Sequence, residues 1–295
     1  MSRRCLCDGG NGCLGEVAVG GESPSTTVGL PQSSSRSATR EGSRPHDQKT
    51  GAATEVSLIA ALVRHGDYLQ LEDTPSALQP FPLTADGERS AREAGVTIGQ
   101  LLAERDWQLH PIIDSSQLLR SWQSATLMAE ALNATLPQPL PLQVESFAAL
   151  AERSVGSVAN LSVAQIEALL QLDPRFDPPP ANWKSDSHYQ LPFQGGESLL
   201  QAGRRVADHL QQRLAPLLSP PSRSRPMLKL FVGHGAAIRH ACHHLGILTL
   251  TQVAARSLYH AHPLCFQIEP DGNWQAEPIV GQWKLRQPQS QERPD

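Results

Sequence analysis

Two segments of this 295-residue chain end an apolar run on a histidine beside glycine: Leu62-Val63-Arg64-His65-Gly66 and Phe231-Val232-Gly233-His234-Gly235. A neutral imidazole nitrogen is a competent nucleophile toward phosphorus, and its attack forms a phosphohistidine that water later hydrolyses. A phosphoryl group in transfer spreads its charge over three oxygens. A planar arginine fork and a second imidazole suit that spread without a metal ion. The departing alkoxide also needs a proton, which asks for a carboxylic acid whose pKa is raised by the neighbouring phosphate charge. One histidine at a strand end is commonly structural. Two on separate strands, one of them beside an arginine, are hard to attribute to packing.

The elements that must position these groups can be read along the chain. Val56–Val63 is a continuous apolar run, the pattern of a buried parallel strand. Thr84 caps a predicted helix to about Arg105, with Ala91, Ala94, Ile98, Leu101 and Leu102 on one face. His110–Ser115 reads as a second strand, Leu118–Leu132 as a helix and Leu140–Phe147 as a third strand, despite Pro141. Ser162 caps a helix to about Leu172, and a Pro-rich stretch without periodicity runs from Asp173 to Pro192. Glu197–Leu218 is amphipathic and stops at Ser219-Pro220-Pro221. Met227–Val232 is another buried strand, followed by helix Ala236–Leu245, and strands Leu264–Ile268 and Trp274–Ile279 flank the turn Asp271-Gly272-Asn273. Strands alternating with helices predict a single α/β domain with a mainly parallel sheet, whose ligands bind beyond the carboxyl ends of the strands.

From about Val56 to Trp283 the chain resembles the histidine phosphatase superfamily, the phosphoglycerate mutase-like proteins. Leu62–Gly66 is similar to its first motif, Leu83-Thr84-Ala85-Asp86-Gly87 to a Leu-Thr-x-x-Gly helix start, and Ser116–Arg120 to a Ser-x-Leu-x-Arg helix. Glu152-Arg153-Ser154-Val155-Gly156 resembles a Glu-Arg-x-x-Gly segment, Gly196-Glu197-Ser198 a late helix start, and Gly233-His234-Gly235 the second histidine motif. The resemblance implies a three-layer α/β/α sandwich around a mixed, mostly parallel sheet. It makes His65 the nucleophile, Arg64, Arg120, His234 and the Gly235 amide the phosphate ligands, and Glu152 the proton donor, with neither cofactor nor metal. After Gly66 the chain reads Asp67-Tyr68-Leu69-Gln70, where cofactor-dependent mutases carry Glu-Ser-x-Trp-Asn, and it also lacks their Asn-x-Phe-x-Gly-Trp run. Phosphomonoester hydrolysis on a small phosphorylated substrate is therefore the expected activity. A phosphoglycerate-type mutase and a non-catalytic phospho-ligand-binding module are the alternatives.

The net charge of -4 supplies no field for nucleic acid or an anionic membrane, and no apolar run approaches the roughly 20 residues that span a bilayer. Residues 1–54 lack aromatic residues and periodicity, so we expect a disordered tail there, a domain over 55–287 and a second disordered tail over 288–295. Five unevenly spaced cysteines argue for a reduced, cytoplasmic setting, with Cys5, Cys7 and Cys13 as unpaired tail thiols. Oligomeric state stays open, a homodimer being the candidate. His240, His243 and His244 share helical spacing, with His260 and His262 following, and a metal site is conceivable there, but one helix face without carboxylate or thiolate support is usually solvated. Trp183, Lys184, His188 and Tyr189 lie in the Pro-rich insert, where substrate contact and a packed surface loop carry equal weight.

Overall fold

The computed structural model describes residues 57–218 and 224–286. Both tails, the three N-terminal cysteines and the 219–221 breaker lie outside them.

Strand β1 (Leu58–Arg64) is buried on both faces, which is why its sequence is apolar without alternation. Its odd and even positions feed two cores. Leu58, Ala60 and Leu62 face one with Val206, Leu210 and Ile238, while Ile59, Ala61 and Val63 face the other with Ala91, Ala94 and Ile98. Helices α1 (Ala85–Glu104) and α2 (Leu119–Thr135) form one outer layer, and α4 (Leu199–Leu218) and α5 (Gly235–His244) form the other. Between them β4 (Gln143–Phe147), β3 (Ile112–Ser116), β5 (Met227–Gly233), β1 and β7 (Leu264–Ile268) lie in that order, with β2 (Gln108–Leu109) pairing β5. In this sheet all pairings are parallel except β1 with β7, so the expected mixed, mostly parallel three-layer sandwich is what forms, and β6 (Arg256–Ser257) pairs antiparallel with β8 (Lys284–Leu285) in a separate ribbon. Among the described residues no helix is long and apolar enough to cross a membrane.

Several boundaries differ from expectation for identifiable reasons. The strand expected at His110–Ser115 forms as β3 from Ile112 to Ser116, because Pro111 has no N–H for a ladder, and β2 precedes it unexpectedly. The predicted strand Trp274–Ile279 forms only isolated bridges, Ile268 with Trp274 and Cys265 with Val280, since Pro278 interrupts the ladder. Helix α4 opens two residues late because Ser198 caps it, accepting from Gln201 N at 3.1 Å, while Glu197 is gripped by Arg205. Thr249 caps a short helix, α6 (Leu250–Ala255), that periodicity did not indicate. Within the Pro-rich insert Trp183 is core: with Ile166 and Leu170 of α3 (Val163–Leu172) and with Ala77 it forms a third apolar cluster, and its Nε1 donates to Glu167 at 2.9 Å. Lys184 and His188 are exposed.

A charged network crosses the sheet away from the strand ends. Asp114 on β3 is fully buried and bonded by Lys229, by His209 at 3.0 Å and by Arg213 at 2.8 Å. Burial alone would raise the Asp114 pKa, but the bonds from His209, Lys229 and Arg213 overcome it and hold the carboxyl below its usual range. Removing one member of a buried pair strands the other. Asp114→Leu should therefore cost about 3–5 kcal/mol of unfolding free energy, and adding Lys229→Met should recover much of it. Urea denaturation of parent, single and double variants checks this, and a single variant as stable as the parent would refute it.

Candidate active site

The register of β1 against β5 pairs Val63 with Val232 and Arg64 with Gly233, so the two strands end at the same level. The His65 amide then donates to Gly233 O at 3.0 Å, and the two histidines leave the sheet side by side, ring centroids 5.0 Å apart. Strand β3 pairs β5 with Ser115 opposite Val232, which brings Ser116 to the end of the sheet where His234 leaves it. The turn after His65 is held by a backbone contact that glycine alone permits. A Cβ on Gly66 would lie 2.5 Å from Gly87 O, and one on Gly87 would lie 1.9 Å from Asp67 O. The Leu-Thr-x-x-Gly start of α1 thus docks on the first histidine motif. Thr84 caps α1 by accepting from Gly87 N at 3.0 Å, and its own amide donates to Asp67 O at 3.0 Å.

Helix α2 delivers Arg120, which is fully buried. Its Nε donates to His65 Nε2 at 3.2 Å, and an Nη2 hydrogen points at His234 Nδ1 at 3.2 Å. Arginine can only donate, so both imidazole atoms accept and the tautomers follow. His65 carries its proton on Nδ1 and donates it to Gly66 O at 2.7 Å, leaving the Nε2 lone pair toward Arg120. His234 carries its proton on Nε2 and donates it to Ser116 Oγ at 2.9 Å. Burial, followed by the charge of Arg120, pushes the pKa of each histidine well below 6.5, so both imidazoles are neutral at neutral pH.

Arg64 lies against the other motif, its guanidinium carbon 3.4 Å from where a Cβ on Gly235 would sit. Glu152 is buried on the N-terminus of α5, accepting from Ala236 N at 3.3 Å, Ala237 N at 3.0 Å and Arg153 N at 2.9 Å. These amides and the helix dipole suit an anion. The structure thus gathers Arg64, His65, Arg120, Glu152, His234 and Gly235 at one end of the sheet.

With this geometry in hand, the model of the histidine phosphatase superfamily, branch 1, matches residues 60–277. The chain belongs to that superfamily. No curated protein matches the chain. Among solved structures, a mycobacterial glucosyl-3-phosphoglycerate phosphatase superposes with a TM-score of 0.53 at 21% identity, over 78% of this chain and 97% of that one. A variant of a phosphoserine phosphatase from Entamoeba histolytica, bound to phosphoserine, gives 0.50 at 17% identity over 77% and 96%. These likenesses concern the fold.

This superfamily member has site residues that its motifs did not single out. Tyr68 packs edge-on against His65 at 5.3 Å and under Arg120 at 4.4 Å. His260 stacks on His65 at 5.6 Å, its Nδ1 3.9 Å from Asp67. Tyr68 could have been suspected from its place after the first motif; His260 stood out only beside the α5 histidines, and nothing in the sequence links it to His65, nearly 200 residues away. The histidines of α5 do not converge: His240 bonds Ala236 O and Ser187, His243 bonds Leu248 O, and His244 bonds Leu200 O.

The buried neutral imidazoles link stability to pH. Their folded pKa values lie below the unfolded value near 6.5, so the unfolded chain takes up protons first as pH falls. Their contribution is intact above about 6.5 and is lost progressively below it. The thermal midpoint should drop on acidification from pH 7 toward 5, less steeply in His234→Asn. Equal slopes in scanning calorimetry would assign the acid sensitivity to other groups.

Proposed function

We propose that this chain hydrolyses phosphate monoesters of small molecules through a phosphohistidine on His65, without metal, in a catalytic domain spanning 55–287. The observation that carries this is the pair of contacts on His65: Nδ1 lies 2.7 Å from Gly66 O, and Nε2 accepts from Arg120, which leaves the Nε2 lone pair on the edge where a phosphoryl group would lie. Nε2 attacks phosphorus, the N–P bond forms and the ester P–O bond breaks. Arg64, Arg120, His234 and the Gly235 amide hold the phosphoryl oxygens, and Glu152 passes its proton to the leaving oxygen. Water then attacks phosphorus, the N–P bond breaks, the water proton goes to Glu152, and inorganic phosphate departs. The missing mutase residues favour release over return of the phosphoryl group to the product.

One observation favours a second role for Glu152. A carboxylate bonded by three backbone amides is also a cap for α5, and so could act by holding His234 in place. The two roles separate by leaving group. Glu152→Gln as acid loses on the order of a hundredfold on an alkyl phosphate and much less on p-nitrophenyl phosphate. As a cap it loses equally on both.

His65→Ala should abolish turnover of every substrate in a phosphate-ester panel. Denaturant quenching at alkaline pH should trap labelled phosphohistidine in the parent and none in the variant. Absence of any phosphoenzyme with every ester would leave the non-catalytic reading, and isomerisation outpacing phosphate release would leave the mutase. Dialysis against a chelator should leave the rate unchanged; activity lost there and restored by zinc or magnesium would remove the metal-free mechanism.

A further inference from the structure

The surroundings of Arg120 point beyond the motif residues. Three other arginines show how this guanidinium grips an anion in this fold. Arg175 on Asp173, Arg205 on Glu197 and Arg213 on Asp114 each use Nε together with Nη2. Arg120 aims that same edge at His65 and His234. Its opposite edge is held by carbonyls of a single loop: Nη1 donates to Gln79 O at 2.8 Å, and Nη2 to Ala77 O at 3.1 Å and Ser76 O at 3.2 Å.

Tyr68 bonds that loop at Ser76 and Gln70 at Thr74, but the side chain that spans it is Gln79. Gln79 Oε1 accepts from Leu71 N at 3.0 Å, and its Nε2 donates to Pro75 O at 2.9 Å and Thr74 O at 3.3 Å. Gln79 is fully buried, as Arg120 is. The same residue therefore ties the loop into shape with its side chain and holds the guanidinium with its carbonyl. Ala77 adds a second anchor by packing into the apolar cluster around Trp183.

We infer that Gln79 is a positioning residue for phosphoryl transfer: it shapes the 71–79 loop so that one edge of Arg120 is fixed on carbonyls and the Nε–Nη2 edge is presented to the phosphoryl group. A fork fixed before substrate arrives loses little rotamer freedom on binding, and its donors already point where charge develops. The carbonyls also exclude an anion from the far edge, which leaves one productive docking geometry. The inference rests on the phosphatase reading of the same site.

The test combines two substitutions, since a residue acting through Arg120 must lose its effect when the fork is gone. Gln79→Met keeps the bulk and removes the amide; Gln79→Glu keeps an acceptor for Leu71 N and removes the donors. Each is made in the parent and in Arg120→Lys, which has a charge but no fork. Thermal midpoints identify the folded variants. Readouts are kcat and KM for p-nitrophenyl phosphate and the inhibition constant of inorganic phosphate. In the parent background we expect kcat to fall about tenfold to a hundredfold and inorganic phosphate to bind more weakly. In Arg120→Lys the same changes should have little further effect. Equal losses in both backgrounds, or unchanged kcat and phosphate inhibition in either folded Gln79 variant, would overturn the inference. A parent enzyme that neither turns over nor binds phosphate would instead overturn the phosphatase reading.

Discussion

Everything at the site depends on the parallel register of β1 with β5. The seven paired residues from Leu58 with Met227 to Arg64 with Gly233 bring two distant sequence segments to the same height. A slip of one residue would turn each side chain to the opposite face, sending Leu62 into the wrong core and separating the histidines. The register is held by burial of both strands on both faces, so the site inherits its precision from the most constrained part of the molecule. The glycine contact between Gly66 and Gly87 extends that precision to α1, and Ser124 extends it to α2, where its Oγ accepts from Gly66 N at 2.9 Å and donates to Arg120 O at 2.7 Å.

Much of this was legible in the sequence because the information is local. An unbroken apolar run states that a strand is covered on both faces, and a Thr three residues before glycine states where α1 begins. Each of the six residues assigned from the family resemblance comes to the same end of the sheet. What was hidden is non-local. Gln79 looks like an ordinary loop residue, and only its burial against backbone groups from Leu71 to Pro75 gives it meaning. His260 reaches His65 through an isolated bridge to Arg64 in the segment just before β7, a pairing no periodicity announces. The fate of Trp274–Ile279 shows the converse: the turn at Asp271-Gly272-Asn273 sets the segment beside β7, yet Pro278 leaves only isolated bridges where a strand was expected.

The electrostatics are built from burial and not from overall charge. The chain is net negative, yet this end of the sheet gathers Arg64, Arg120 and the imidazoles of His65, His234 and His260 with the buried carboxyl of Glu152. Burial keeps both imidazoles neutral beside the guanidinium groups, so the site offers positive charge to an anion without protonating its own candidate nucleophile.

The bond from Arg120 Nε to His65 Nε2 has a consequence for the proposed reaction. A lone pair that accepts a hydrogen bond from guanidinium is masked from electrophiles and from passing metal ions. A phosphoryl oxygen, being charged, is the better acceptor, and on arrival it draws the N–H to itself and uncovers the nitrogen. On the proposed mechanism the nucleophile is therefore sheathed by Arg120 until the group it attacks bares it.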